Sequence, residues 1–144
     1  MSSAFIRMAE GVGFLPADTR EMAPLNLAFL GDTVYDLYVR AYLVHLRPLT
    51  VNDLHRQASL YVCAAAQAEA YHKIEGLLTE QEADIFRRGR NTHSTTVPKN
   101  ASVSDYRIAT GLETLFGWLF SRGEDARLDE LMRIILTENE KDEI

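Results

Sequence analysis

Between Pro24 and Leu46 apolar side chains recur at Leu27, Leu30, Val34, Leu37, Tyr38, Ala41 and Val44. Steps of three and four residues place these on one side of an α-helix and are incompatible with a strand, whose side chains alternate with a period of two. Pro24 suits the first helical turn, where a missing N–H costs nothing, and Pro48 closes the run. A helix this long and this apolar must be mostly buried against others, and the rest of the chain supplies them. Thr50 caps a second helix, with Asp53 reaching back, that is expected to run through the alanine-rich stretch to Ile74 and to end at Gly76. Thr79-Glu80-Gln81-Glu82 opens a third, through Phe86, ending at Gly89. Ser104 caps a fourth, from Asp105 to Ser121, with Ile108, Leu112, Leu115, Phe116 and Leu119 facing inward and Gly123 as its stop. Glu124 and Asp125 then open a last helix that buries Leu128, Leu131, Met132 and Ile135. A short N-terminal helix over Ser3 to Glu10 is limited by Gly11 and Gly13, and no strand pattern competes anywhere. The expected fold is all-α.

Length and composition fix the scale. A chain of 144 residues with 47% hydrophobic and 25% charged side chains makes one domain, and it is neither disordered nor dependent on disulfides. We read residues 1–144 as that domain, with an N-terminal segment over 1–20 and a frayed acidic tail over 138–144. The lone cysteine, Cys63, excludes an intrachain disulfide and reads as a small core residue in a reducing compartment. No run approaches the roughly 18 apolar residues of a membrane span, so a cytoplasmic protein with no membrane partner is expected.

The net charge of −6 argues against nucleic acid until its distribution is read. Residues 124–144 hold eight acidic and three basic side chains, which accounts for −5 of it. Residues 85–112, by contrast, carry Arg87, Arg88, Arg90, Lys99 and Arg107 against Asp105 alone. Inside that window the polar stretch from Asn91 to Asn100, containing Pro98, reads as an exposed mobile loop suited to phosphates. His45, His55, His72 and His93 show no paired ligand spacing, which sets zinc aside. Neither a Gly-rich phosphate loop nor a nucleophile elbow is present. Tyr35, Tyr38, Tyr42, Tyr61, Tyr71 and Tyr106 fall in helical apolar patterns and read as core or dimer packing rather than a base-stacking platform.

Two carboxylates stand out. Asp32 follows Gly31 in the middle of the most apolar helix, and Glu113 lies in the equally apolar run from Ala109 to Gly117. Asp32 can belong to a wet helix face shared with Asp36 and Arg40 at spacings of four. Alternatively, the two helices face each other and the two acids share a hard cation such as Mg2+, which prefers oxygen ligands and keeps several waters. Sequence physics leaves both readings open.

At this point the residues carry a resemblance. LAFLGDTVYDLYVRAYL resembles the signature helix of ribonuclease III catalytic domains, and YRIATGLETLFGWLF resembles their second acidic helix. With DLHRQAS, RRGRN and PKN in the same order, the chain is similar to the compact members of that family, the Mini-ribonucleases III, from about Leu25 to Phe120. The resemblance implies a single ribonuclease III-like catalytic domain of about five to seven helices that forms a homodimer. It further implies cleavage of double-stranded RNA with Mg2+, leaving 5'-phosphate and 3'-hydroxyl ends. For the compact subfamily the implied substrate is the 23S ribosomal RNA precursor, cut at its 5' and 3' ends, with a ribosomal protein as a partner that presents it.

Residue by residue, Asp32 matches the catalytic aspartate and Glu113 the metal-binding glutamate, while Asp53 falls near a further acidic position. Two acids of the larger family are replaced here, by Ala28 one turn before Asp32 and by Thr110 three residues before Glu113. The segment after the last helix has no room for the double-stranded-RNA-binding domain of standard members, so RNA affinity is assigned to Arg87, Arg88, Arg90, Lys99, Asn100 and Arg107. A catalytically weak RNA-binding or ribosome-assembly module on the same fold is the alternative, and a helical dimerisation domain without an RNA role is a third.

Overall fold

The computed structural model describes residues 2–92 and 102–142, with side chains as far as 137. Among the described residues there are seven α-helices and no strand. They are α1 (Ala4–Val12), α2 (Pro24–Leu46), α3 (Val51–Val62), α4 (Ala64–Ile74), α5 (Glu80–Asn91), α6 (Val103–Ser121) and α7 (Asp125–Asp142), with 3-10 turns at Thr19–Glu21 and Glu75–Leu77. No helix among the described residues is long and apolar enough to cross a membrane.

Most helix starts follow the side-chain caps visible in the sequence. Thr50 Oγ1 accepts from the Asp53 amide at 3.2 Å, and Thr79 and Glu82 form a complete capping box. Four expectations are corrected. The helix expected from Thr50 to Ile74 is two, because Cys63 adopts an extended backbone (φ −67°, ψ 157°) that breaks it between α3 and α4. Cys63 is also exposed rather than a core residue. α5 continues through Gly89 to Asn91, and α6 begins earlier than expected, with Ser102 rather than Ser104 accepting from the Asp105 amide at 3.0 Å.

α6 is the axis of the molecule, packing against α2, α4, α5, α7 and α1. Its sequence permits this because glycine stands at both of its closest crossings. A Cβ on Gly31 of α2 would fall on the Glu113 carbonyl oxygen and 2.7 Å from the Gly117 nitrogen, and a Cβ on Gly117 would fall on the Leu27 carbonyl. The backbones of α2 and α6 therefore touch, and the helix-propensity cost of about 1 kcal/mol per glycine is offset by that approach. At the second crossing a Cβ on Gly89 would meet Thr114, and one on Gly111 would stand 2.6 Å from the Phe86 ring. Gly89 is thus an interior packing residue of α5, not its stop. Around this axis Tyr35, Ile74, Leu112, Leu115, Phe116, Leu119, Leu131 and Ile135 are fully buried.

Polar bonds tie the outer helices on. Arg127 of α7 donates to both carboxylate oxygens of Glu82 on α5, at 2.8 and 2.9 Å, and to the Leu77 carbonyl. Tyr38 donates to Asp129 at 2.6 Å, and the Ala4 amide of α1 donates to Asp125 at 2.9 Å.

The apolar stripe of α2 divides between two faces. Leu27 and Val34 are buried as expected, together with Ala28, Gly31, Tyr35, Val39 and Leu43. Leu37 and Val44, expected inside, are 66% and 54% exposed, and Phe29 is 83% exposed. They share the outer side of the helix with Asp36 and Arg40, which pair at 2.9 Å. α2 is accordingly apolar on both sides, and only one of them is covered within the chain.

The crossing makes an opposed pair of expectations. Gly31→Ala is expected to lower stability by about 3 kcal/mol or more through overpacking onto backbone. Gly11→Ala in α1, where an added Cβ meets open space, is expected to raise it by about 0.5–1 kcal/mol. Denaturant melts of the two variants check both signs.

Candidate active site

The α2–α6 contact decides where the two acids of the sequence go. Because Gly31 sits against the Glu113 backbone, the side chain of the next residue, Asp32, emerges beside that of Glu113. Asp32 is exposed and Glu113 is half-buried, with the two carboxyl groups hydrogen-bonded to each other. Asp32 thus lies at the edge of the solvent-facing side of α2 and also meets Glu113, so the two helices do face each other at the two acids.

Burial above all, and then the hydrogen bond and charge of Asp32, push the Glu113 carboxyl up to about 8 against the opposing Gln67 amide. At neutral pH, Glu113 carries a proton that it donates to Asp32. Two carboxylates this close need a positive charge to remain ionised together, and in the bare protein that charge is a proton. Among the described residues no third His, Cys, Asp or Glu completes a cluster around them. Ala28 and Thr110, where the larger family carries acids, are buried, and the Thr110 hydroxyl is spent on the Tyr106 carbonyl at 3.0 Å. Asp53 stays apart: it accepts from the Thr50 hydroxyl at 3.0 Å and pairs with Arg56, so its work is in the first turn of α3.

One neighbour was not singled out from the sequence. Gln67 of α4 is 3% exposed, beside Glu113, and its Nε2 is buried without a hydrogen-bond partner among the described residues. A glutamine in an alanine-rich helix gives no sign of burial, and only the packing of α4 on α6 reveals it.

The basic residues are only partly brought together. Arg90 and Arg107 line one hollow with Asn91, Tyr71 and His72, at the ends of α5 and α6. There Tyr71 stacks on Phe86 at 3.9 Å and the Arg90 guanidinium lies 5.8 Å from the Phe86 ring. Arg87 and Arg88 both reach Asp84, at 3.6 and 3.2 Å, a carboxylate one residue outside the window whose charge was counted. Lys99 and Asn100, with most of the stretch between Asn91 and Asn100, lie outside the described residues.

The raised Glu113 carboxyl has a consequence for stability. Below the unfolded value of 4.5 the group is protonated in both states, and as pH climbs toward 8 the unfolded chain ionises first, so folding loses stability until the native group also ionises. In the absence of divalent cations, Glu113→Gln is therefore expected to be more stable than wild type near pH 9, by an order of a few kcal/mol, with the difference vanishing near pH 4. Thermal melts in chelator across that range measure it.

Comparison with known proteins identifies the family. Residues 25–124 match the Ribonuclease III domain family, a span that starts at α2 and closes at the end of α6. The Mini-ribonuclease 3 of Clostridium tetani is 43% identical over 127 residues, covering 88% of this chain and 84% of that one. The Mini-ribonuclease 3 of a Thermoanaerobacter species is 48% identical over 113 residues, covering 78% and 80%. An X-ray crystal structure of a Fusobacterium nucleatum protein superimposes with a TM-score of 0.77 at 27% identity, covering 85% of this chain and 98% of that one. With the family model spanning most of its length and relatives matched nearly end to end, this chain belongs to the ribonuclease III family of double-stranded-RNA endoribonucleases.

Proposed function

We propose that this endoribonuclease works as a Mg2+-dependent homodimer in the cytoplasm and matures the 5' and 3' ends of the 23S ribosomal RNA precursor, with a ribosomal protein presenting the substrate. The observation that carries the catalytic part is the meeting of Asp32 and Glu113 where α2 crosses α6. The ribosomal substrate and its presentation rest on the likeness to the Mini-ribonucleases.

The donor set fits a hard divalent cation. Both ligands are carboxylate oxygens, Asp32 opens to solvent where waters can complete a coordination shell, and the proton on Glu113 marks where positive charge is required. When bound, such a cation stabilises charge on a phosphoryl group and lowers the pKa of a coordinated water. Asp32 and Glu113 would hold it, Glu113 giving up its proton to do so. With Ala28 and Thr110 in place of two acids, these two side chains would be the protein's own share of the ligands, with waters and substrate phosphate as the rest.

Arg90 and Arg107, with Arg87, Arg88, Lys99 and Asn100, are assigned to the RNA backbone. Arg107 lies six residues before Glu113 on α6, an axial rise of about 9 Å at 1.5 Å per residue. The uncovered side of α2, with Phe29, Leu37 and Val44, supports pairing with a second copy, since an isologous contact covers the same apolar face on both chains.

With a long RNA duplex and Mg2+, wild type is expected to cut, and Asp32→Asn and Glu113→Gln each to lower the rate on the order of 10³-fold while RNA binding persists. Binding without Mg2+-dependent cutting by wild type, on a ribosomal precursor as well as on the duplex, favours the assembly module instead. Phe29→Arg is expected to convert a dimer into a folded monomer, read by sedimentation equilibrium. A wild-type monomer at micromolar concentration sinks the dimer.

A further inference from the structure

The packing around Gln67 does not account for its Nε2. Its side chain is buried between α4 and α6, where packing alone would favour leucine, methionine or alanine. Its Nε2 makes no well-formed hydrogen bond among the described residues, and an amide removed from water without full pairing destabilises the fold. Yet this amide lies against one particular group, the Glu113 carboxyl, and an N–H donor is suited to a carboxylate oxygen.

We propose that Gln67 is a positioning residue of the cation site: its buried side-chain amide is held ready to donate to the ionised Glu113 carboxylate and fixes that carboxylate in the orientation that, with Asp32, holds a divalent cation. The inference rests on the reading of Asp32 and Glu113 as cation ligands. Carboxylate ligands are usually oriented by outer hydrogen bonds, and those partners commonly govern affinity by 10–100-fold. An amide suits the position because it donates without bringing charge. A lysine or arginine there would compete with the cation for Glu113, and a carboxylate would add a third negative group to a pair that already shares a proton. The cost of burying this donor falls on stability, while its benefit appears on metal binding.

A merely structural glutamine and a positioning one behave oppositely in Gln67→Met, which keeps length and removes both polar atoms. The probe is Mn2+, its unbound fraction read by electron paramagnetic resonance, with full-length wild type, Gln67→Met and Asp32→Asn; melting temperatures are taken in chelator. The expected result is a Gln67→Met protein that melts at or above wild type and binds Mn2+ about tenfold or more weakly. Unchanged Mn2+ affinity overturns the proposal and leaves the cation site standing, and affinity that falls only alongside a lowered melting temperature also overturns it. If wild type binds no Mn2+ that Asp32→Asn abolishes, the cation reading fails and takes this one with it. Should Gln67→Met not fold, the Gln67 side-chain NH2 resonances of wild type decide: a shift on adding Mg2+ supports the assignment, and no shift overturns it.

Discussion

Two helix backbones in direct contact organise this molecule. Gly31 and Gly117 let α2 and α6 approach until a single added methyl group would collide with a carbonyl oxygen. That contact sets the register between the two most apolar helices, and the register alone determines that Asp32 and Glu113 emerge side by side. The second glycine crossing, Gly89 with Gly111, clamps α5 to the same axis, and with it the arginines at its C-terminal end. Site and scaffold are therefore a single construction. Wider helix spacing would admit larger side chains and would separate the acids.

The site is thin in ligands and rich in strain of an electrostatic kind. Glu113 is half-buried beside another acid, and its carboxyl is held well above the usual carboxylate range with the Gln67 amide acting against the rise. Elsewhere in the fold a buried carboxylate is treated quite differently: Glu82, 4% exposed, receives two bonds from Arg127 and one from the Thr79 backbone amide across the capping box, and its carboxyl is held below its ordinary value. The contrast separates an acid that stabilises the fold from one that the fold tolerates for chemistry. What each group meets distinguishes them: an arginine beside Glu82, a second acid beside Glu113.

Nucleic-acid affinity in a chain of net charge −6 requires that charge be partitioned. The excess acid lies toward the C-terminus, while Arg90 and Arg107 meet at the opposite ends of α5 and α6. Arg87 and Arg88 are nearer neutral in effect than a count of the window implies, because Asp84 lies between them on the same helix face. The apolar outer side of α2 adds a surface of another kind, suited to protein rather than RNA.

The sequence by itself determined the helices, since period and caps are local: Thr50, Thr79 and the stripe on α7 are read directly from neighbours three and four residues away. It also singled out Asp32 and Glu113, because carboxylates in apolar helices stand against their surroundings, and its motifs placed the chain in a family. Tertiary structure decided what local pattern cannot express. The break at Cys63 has no glycine or proline to announce it, and Gly89 looks like a helix stop until the helix packed on it is seen. Which side of an apolar helix is covered depends on partners distant in sequence, so Leu37 and Val44 were expected inside and stand outside. Gln67, polar and surrounded by alanines, acquires its meaning only when α4 packs on α6 and leaves its amide beside Glu113. Periodicity reports what a helix can bury; only the packing of helices on one another decides what it does bury and which charges meet.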